Sequence, residues 1–165
     1  LQKTLGWPTF SASQYFRDYA RTHGVSLQKA EEQNPDLTRE VDFSMQVLLQ
    51  KEAHGIIEGW MAGIMANELL GVLRILLICD DAERVKRLSR RDGIPDEEAR
   101  NKITEREKSW IVKLVQIYKR DDFFDPKNYN LVVDTTGNTP QETIDLVLQA
   151  LGYYSANGQT ARPTP

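Results

Sequence analysis

The stretch LRILLICDDAERVKRLSRRDG, residues 73–93, changes its periodicity at the middle. Its first seven residues form a short apolar run rich in Leu and Ile, which suits a buried strand. Asp80 or Asp81 then starts a helix, and Gly93 ends it. Arg84, Arg87 and Arg91 recur at i, i+3 and i+7, so they share one helical face. That face begins just past the carboxyl end of a strand, where open parallel α/β sheets bind their ligands. Guanidinium groups match phosphate oxygens in a planar fork and stay charged at any working pH. The same arginines could equally form a solvated face paired with Asp81, Glu83, Asp92 and Glu97. Their place in the order of elements is what gives them weight.

Working outward, short apolar runs alternate with longer helical patterns. Trp7 to Phe10 reads as a strand, and Leu1 and Leu5 before it read as the tail of a helix. Ser11 or Ser13 caps the next helix, which runs to about Thr22 and closes at Gly24. Ser26 starts a short helix to Gln33, ended by Pro35. Leu37, Val41, Met45, Leu48 and Leu49 mark an amphipathic helix over residues 36–53. GIIEG, residues 55–59, is a buried strand ending in a carboxylate, and LRILLIC is the best strand in the chain. Pro95 and Asp96 begin a long helix to about Arg120, with Ile103, Trp110, Leu114 and Ile117 on one face. YNLVVDT, residues 129–135, is a further strand, and Thr139-Pro140 opens the last helix. Strands alternating with helices imply βαβ units and a parallel sheet covered on both faces.

The 165 residues suit one domain with a substantial core. A net charge of −3 disfavours a general nucleic-acid binder. The longest apolar stretch, Val72 to Cys79, is interrupted by Arg74 and too short to span a bilayer. Cys79 is the one cysteine, read as a buried small hydrophobe rather than a reactive thiol. His23 and His54 stand apart from any ligand at metal-binding spacing, so no metal site built by the protein alone is expected. The chain reads as cytoplasmic and monomeric, with neither nucleic acid nor membrane as partner.

Two further segments fall at strand ends. In IIEGW, residues 56–60, Glu58 suits a water-mediated Mg²⁺ contact, and Gly59 allows close approach to the backbone. The plainer reading is a turn carboxylate. In SASQYFRDYA, residues 11–20, Arg17 sits just over one turn past Ser13, where it could reach a phosphate above the sheet, or pair with a nearby acid.

In this order, LGW, SASQYFR, EGW, RVKRLSRRDG, EEARNKITERE and YNLVVDT resemble the nucleoside monophosphate kinases, most closely the cytidylate kinase-like family. The likeness covers residues 1 to about 151. It implies a three-layer α/β/α P-loop NTPase-like fold with a parallel sheet in the order 2-3-1-4-5. The kinase-like domain would span residues 1–152, with acceptor-binding helices at about 11–53 and a lid at about 88–105, followed by a disordered tail over 153–165. The implied activity moves the γ-phosphoryl of ATP, with Mg²⁺, to CMP or dCMP. Ser11, Arg17, Gly59 and Trp60 then match acceptor positions, and Glu58 matches the acid that holds Mg²⁺ through water. Arg87 and Arg91 match lid arginines for the donor, and Arg106 and Lys113 match cations around the transferring phosphoryl group. The lid is expected to be mobile without ligand, because its arginines repel one another.

The chain departs from the family pattern at named places. No G-x-x-x-x-G-K-[ST] occurs in it, so the first strand and its phosphate loop are expected before Leu1. Gln14 stands where Asp is usual, Trp60 where the family has Arg, Trp110 where related kinases often have an acid, and Lys113 where a further Arg is expected. The acceptor pocket therefore departs further than the donor side. A degenerate fold serving as a nucleotide-sensing or protein-interaction module, or a kinase of a small non-nucleotide metabolite, are the competing readings.

Overall fold

The computed structural model describes residues 1–25 and 34–153. The expected helix over 26–33 and the expected tail beyond residue 153 lie outside the described residues. In chain order the elements are α1 (Gln2–Leu5), β1 (Thr9–Ser11), α2 (Ala12–His23), α3 (Pro35–Lys51), β2 (Ile56–Glu58), α4 (Ala62–Met65), β3 (Ile75–Ile78), α5 (Asp81–Asp92), α6 (Asp96–Tyr118), β4 (Leu131–Asp134) and α7 (Pro140–Ala150). A single 3-10 turn, Pro126–Asn128, precedes β4.

The strands form two parallel pairs. β1 lies against β2 with Thr9 opposite Ile56 and Ser11 opposite Glu58. β3 lies against β4 with Ile75 opposite Leu131 and Ile78 opposite Asp134. Each pair is joined by a helical crossover, as parallel strands require. The fold is thus mixed α/β with parallel pairing, as the alternation of periodicities predicts. β2 and β3 are not hydrogen-bonded to each other.

Local chemistry sets the helix ends. Ser11 caps α2 by accepting from the Gln14 amide at 3.2 Å, and Gly24 ends it in the left-handed region at φ 62°. Gly93 does the same for α5 at φ 66°. Thr139 and Glu142 form a reciprocal capping box at the start of α7, with contacts of 2.7 and 3.2 Å. The helix expected over residues 36–53 begins one residue earlier. Pro35 begins α3, at the first helical position, because Asn34 caps it by accepting from the amides of Asp36 and Leu37. The missing N–H of proline costs nothing at that position.

The main core joins α2, α3 and α6. Phe16, Leu37, Val41, Met45, Met61, Leu114 and Phe123 are buried together there, with Trp60 and Trp110 packed against them. Burying each of the larger apolar side chains contributes about 1.5–3 kcal/mol. Gly59 explains how closely α3 approaches. A Cβ at Gly59 would lie 3.0 Å from the Met45 sulfur and 3.1 Å from Ala12 Cβ. Cys79 is also corrected: it is only half-buried and lines a cleft instead of filling the core. It stands just after β3, whose last residues, Leu77 and Ile78, are themselves exposed. No helix of the described residues is long and apolar enough to cross a membrane.

Candidate functional site

A cleft of about 650 Å³ opens past the carboxyl ends of the strands. One wall comes from α5, which presents Arg84, Arg87 and Arg91. Their i, i+3, i+7 spacing puts all three on the cleft side, as the sequence predicts. The first half of α6 adds Lys102 and Arg106. Asp92, Glu105 and Glu107 also line the cleft, so its basic side chains outnumber its acidic ones. Trp60, Trp110, Ser13 and Ser109 also line the cleft, with Trp110 one turn past Arg106 on α6.

The arginines already have protein partners. Arg84 bridges Asp81, at 3.1 Å, and Glu107, which ties α5 to α6. Burial alone would lower its pKa, but the Glu107 and Asp81 carboxylates outweigh this and raise it. Arg87 Nε pairs with Glu83 at 3.0 Å. Its Nη2 donates to the carbonyls of Thr135 and Thr136 at 2.7 and 3.1 Å. Arg91 pairs with Asp92 at 2.8 Å, a contact that lowers the Asp92 carboxyl and raises the guanidinium. All these pairs are at least partly exposed, so an incoming polyanion could replace them at small cost.

At the carboxyl ends of β1 and β2, Ser11 donates its hydroxyl to Glu58 Oε2. The Ser13 hydroxyl lies 3.4 Å from Oε1. This carboxylate flanked by two hydroxyls is an all-oxygen donor set of the kind a hard divalent cation prefers.

Other expected residues are distributed differently. Arg17 is exposed and is not among the residues lining the cleft. Gly59 is occupied with helix packing, as described above. Lys113 is buried, and its ammonium lies 4.9 Å from the centre of the Trp110 ring. Trp60 contacts Trp110 at 6.0 Å and Phe124 at 5.5 Å.

Sequence reasoning missed one buried polar cluster. Asp42, on α3, is 5% exposed and accepts the Tyr118 hydroxyl at 2.6 Å. Burial pushes its carboxyl up to about 6, against the lowering effects of the Tyr118 hydrogen bond and the Lys113 charge. Its hint in the sequence is its place beside Val41 and three residues before Met45, at the border of the apolar stripe of α3. A second, mostly apolar pocket of about 210 Å³ lies beside β1, between Phe10, Leu48 and Ile57. It has no cation to hold a phosphate.

Comparison with known proteins finds relatives over most of the chain. A family model described as the cytidylate kinase-like family matches residues 8–137. Cytidylate kinase of Thermococcus kodakarensis is 34% identical over 161 residues, covering 96% of this chain and 81% of that protein. Cytidylate kinase of Pyrococcus abyssi is 35% identical, covering 93% of this chain and 84% of that protein. A crystal structure of an uncharacterized protein from Eubacterium ventriosum shares the fold with a TM-score of 0.66 at 13% identity, covering 93% of this chain and 88% of that one. With most of its length matched both by the family model and by relatives above 30% identity, the chain belongs to the cytidylate kinase-like family.

Proposed function

We propose that this protein transfers the γ-phosphoryl group of ATP to a nucleoside monophosphate, with a CMP- or dCMP-like molecule among its acceptors. The observation that carries the reading is the convergence of Arg84, Arg87, Arg91 and Arg106 on one cleft at the strand ends. Charge spread over a transferring phosphoryl group needs little else than positioned cations and a water-poor site. In this reading Arg87, Arg91 and Arg106 grip donor phosphates, exchanging their present protein partners for the nucleotide. Lys113 adds positive charge from behind Trp110. Ser11 and Arg17 serve the acceptor side. The α5–α6 pair, including the lid at about 88–105, closes to keep water from the donor.

Glu58, with Ser11 and Ser13, would hold Mg²⁺ through water. A bound Mg²⁺ neutralises phosphate charge during transfer. In the architecture we propose, β1–β2 and β3–β4 take the outer places 2-3 and 4-5 of one parallel sheet. A fifth strand with a P-loop lies between them. Relatives named as cytidylate kinases over most of this chain support that arrangement. The reading takes the protein as a cytoplasmic monomer acting on small molecules.

A second reading is favoured by two observations. Trp60 replaces a guanidinium at the acceptor side, and the α5 arginines are engaged with protein groups. A non-catalytic nucleotide-sensing or protein-interaction module would tolerate both. A coupled assay of the complete protein separates the readings. We expect ADP to form only with ATP, Mg²⁺ and a monophosphate together. No ADP above buffer across a panel of monophosphates and small phosphorylatable alcohols would remove the kinase reading in favour of the module.

A further inference from the structure

Asp42, in the middle of α3, is buried and is not among the residues lining the cleft. Its Oδ2 accepts the hydroxyl of Tyr118 on α6 at 2.6 Å. Lys113, on the same helix as Tyr118, is buried as well, and its charge acts on the Asp42 carboxyl. The residues one turn from Lys113 along α6 are Ser109, Trp110, Gln116 and Ile117, and none of them is an acid. The Lys113 ammonium lies 4.9 Å from the centre of the Trp110 ring. Trp110 lines the cleft, one turn past Arg106. An electrostatic path therefore runs from Asp42 through Lys113 and Trp110 to the cleft.

Desolvation raises the Asp42 carboxyl to about 6, against the lowering by the Tyr118 hydrogen bond and the Lys113 charge. The charged form is thus held at a cost to the fold. Tyr118 does not need that charge, because a neutral amide oxygen accepts a phenol as well. A lysine does need it, because a buried ammonium loses its water and must face an opposite charge. Its four-carbon stem is flexible, so a fixed partner is what keeps the ammonium over one ring. The neighbouring elements offer other chemistry. Arg39, also on α3, acts on the Tyr118 hydroxyl and pairs with Asp36 at 2.9 Å. The short α4 has no titratable side chain. α2 brings the phenols of Tyr15 and Tyr19 to the shared core, with Asp18 turned to Arg21 at 2.9 Å and His23 stacked on Tyr19. We propose that Asp42 is a positioning residue for the cleft: its carboxylate, fixed by Tyr118, holds the Lys113 ammonium against Trp110 and so keeps that indole in place beside Arg106. The proposal rests on the phosphoryl-transfer reading for its effect on turnover alone, and the placement of Trp110 is measured without turnover.

The first test uses the complete protein with Trp7→Phe and Trp60→Phe, which leaves Trp110 as the one indole of this chain. Its emission is followed from pH 4.5 to pH 8. One transition is expected near pH 6, where the Asp42 carboxyl takes up its proton and releases the ammonium. Asp42→Asn, which keeps an acceptor for Tyr118, and Lys113→Met should each abolish it. Tyr118→Phe, which also covers an Asn variant that fails to fold, should move it to higher pH, since a lowering hydrogen bond is lost. A flat parent profile, a transition that persists in Asp42→Asn or Lys113→Met, or one that Tyr118→Phe leaves in place would each overturn the proposal. The second test measures turnover at pH 7.5 with all tryptophans present. Asp42→Asn and Lys113→Met should each lower kcat about tenfold, the scale of a small misplacement in a site. The double variant should be no slower than Lys113→Met, because residues acting through one contact do not add. Losses that multiply would give Asp42 a separate structural role and overturn the proposal. A parent that makes no ADP but shows the transition, lost in Asp42→Asn, upholds the placement and removes the kinase reading. Turnover with a flat emission profile does the reverse.

Discussion

The Tyr118 hydroxyl donates to Asp42 Oδ2 at 2.6 Å, joining the last turn of α6 to the middle of α3. Folding therefore changes the proton affinity of a buried carboxyl, pushed up to about 6 by desolvation. Below about pH 4 both folded and unfolded chains hold this proton, and no difference arises. Between about pH 4 and 6 the folded chain keeps it while the unfolded chain has released it. Stability from this group thus falls as pH rises through that window and levels off above it, by roughly 2–3 kcal/mol. Asp42→Asn should flatten the slope while keeping an acceptor for Tyr118. Urea denaturation at pH 4.5 and pH 7 checks it, and an unchanged slope in the variant would rule it out.

Arg87, itself exposed, pairs with the half-buried Glu83 and with the carbonyls of Thr135 and Thr136. Arg87→Ala should leave stability within about 1 kcal/mol, since exposed pairs contribute little. Turnover should fall about a hundredfold or more, the scale set by losing one preorganised charge-stabilising donor. Arg87→Lys should not restore it, because an ammonium lacks the planar fork. Thermal melts run beside steady-state kinetics distinguish these effects.

Glu58 is exposed and held by Ser11 and Ser13. Glu58→Gln should barely change the melting temperature, yet the Mg²⁺ concentration for half-maximal turnover should rise several-fold. Ser11→Ala should cost about 1 kcal/mol, because it removes the cap of α2 as well. A Mg²⁺ titration that is identical in Glu58→Gln would show that this carboxylate has no part in holding the cation.

Gly63 lies against the Tyr129 ring so closely that a Cβ there would collide with Cε1. The ring is held in place by its hydroxyl, which donates to the Phe123 carbonyl at 2.5 Å. Gly63→Ala should destabilise the fold by about 1–3 kcal/mol, as overpacking does. Chemical denaturation reads this directly, and a melting curve matching the parent would mean Tyr129 can move aside.

What was legible in the sequence was local. The caps at Ser11, Gly24, Gly93 and Thr139 announced helix ends that the structure reproduces within one or two residues. The spacing of Arg84, Arg87 and Arg91 announced a shared face. What was not legible depended on distant partners. Nothing near Asp42 points to Tyr118, 76 residues away. Arg87's acceptors at Thr135 and Thr136 are backbone carbonyls, which leave no trace in residue type. The short α4 has four residues and no side-chain cap, too little pattern for any periodicity to register. Cys79 was read inward because its neighbours are apolar, although it stands where the strand gives way to the cleft.

The two strand pairs carry a consequence for the way the chain assembles. Ser11 meets Glu58 across 47 residues, and Ile78 meets Thr135 across 57, so neither ladder forms until a long loop has closed. The α5–α6 hairpin, turned by Gly93 to Pro95, closes with hardly any such entropy and can form first. Ladder pairing then becomes the slow event on the route to the native state. Until it is complete, the apolar strands Ile56–Glu58 and Ile75–Ile78 are open to partners from other chains, and the nascent protein is most exposed to aggregation during that interval.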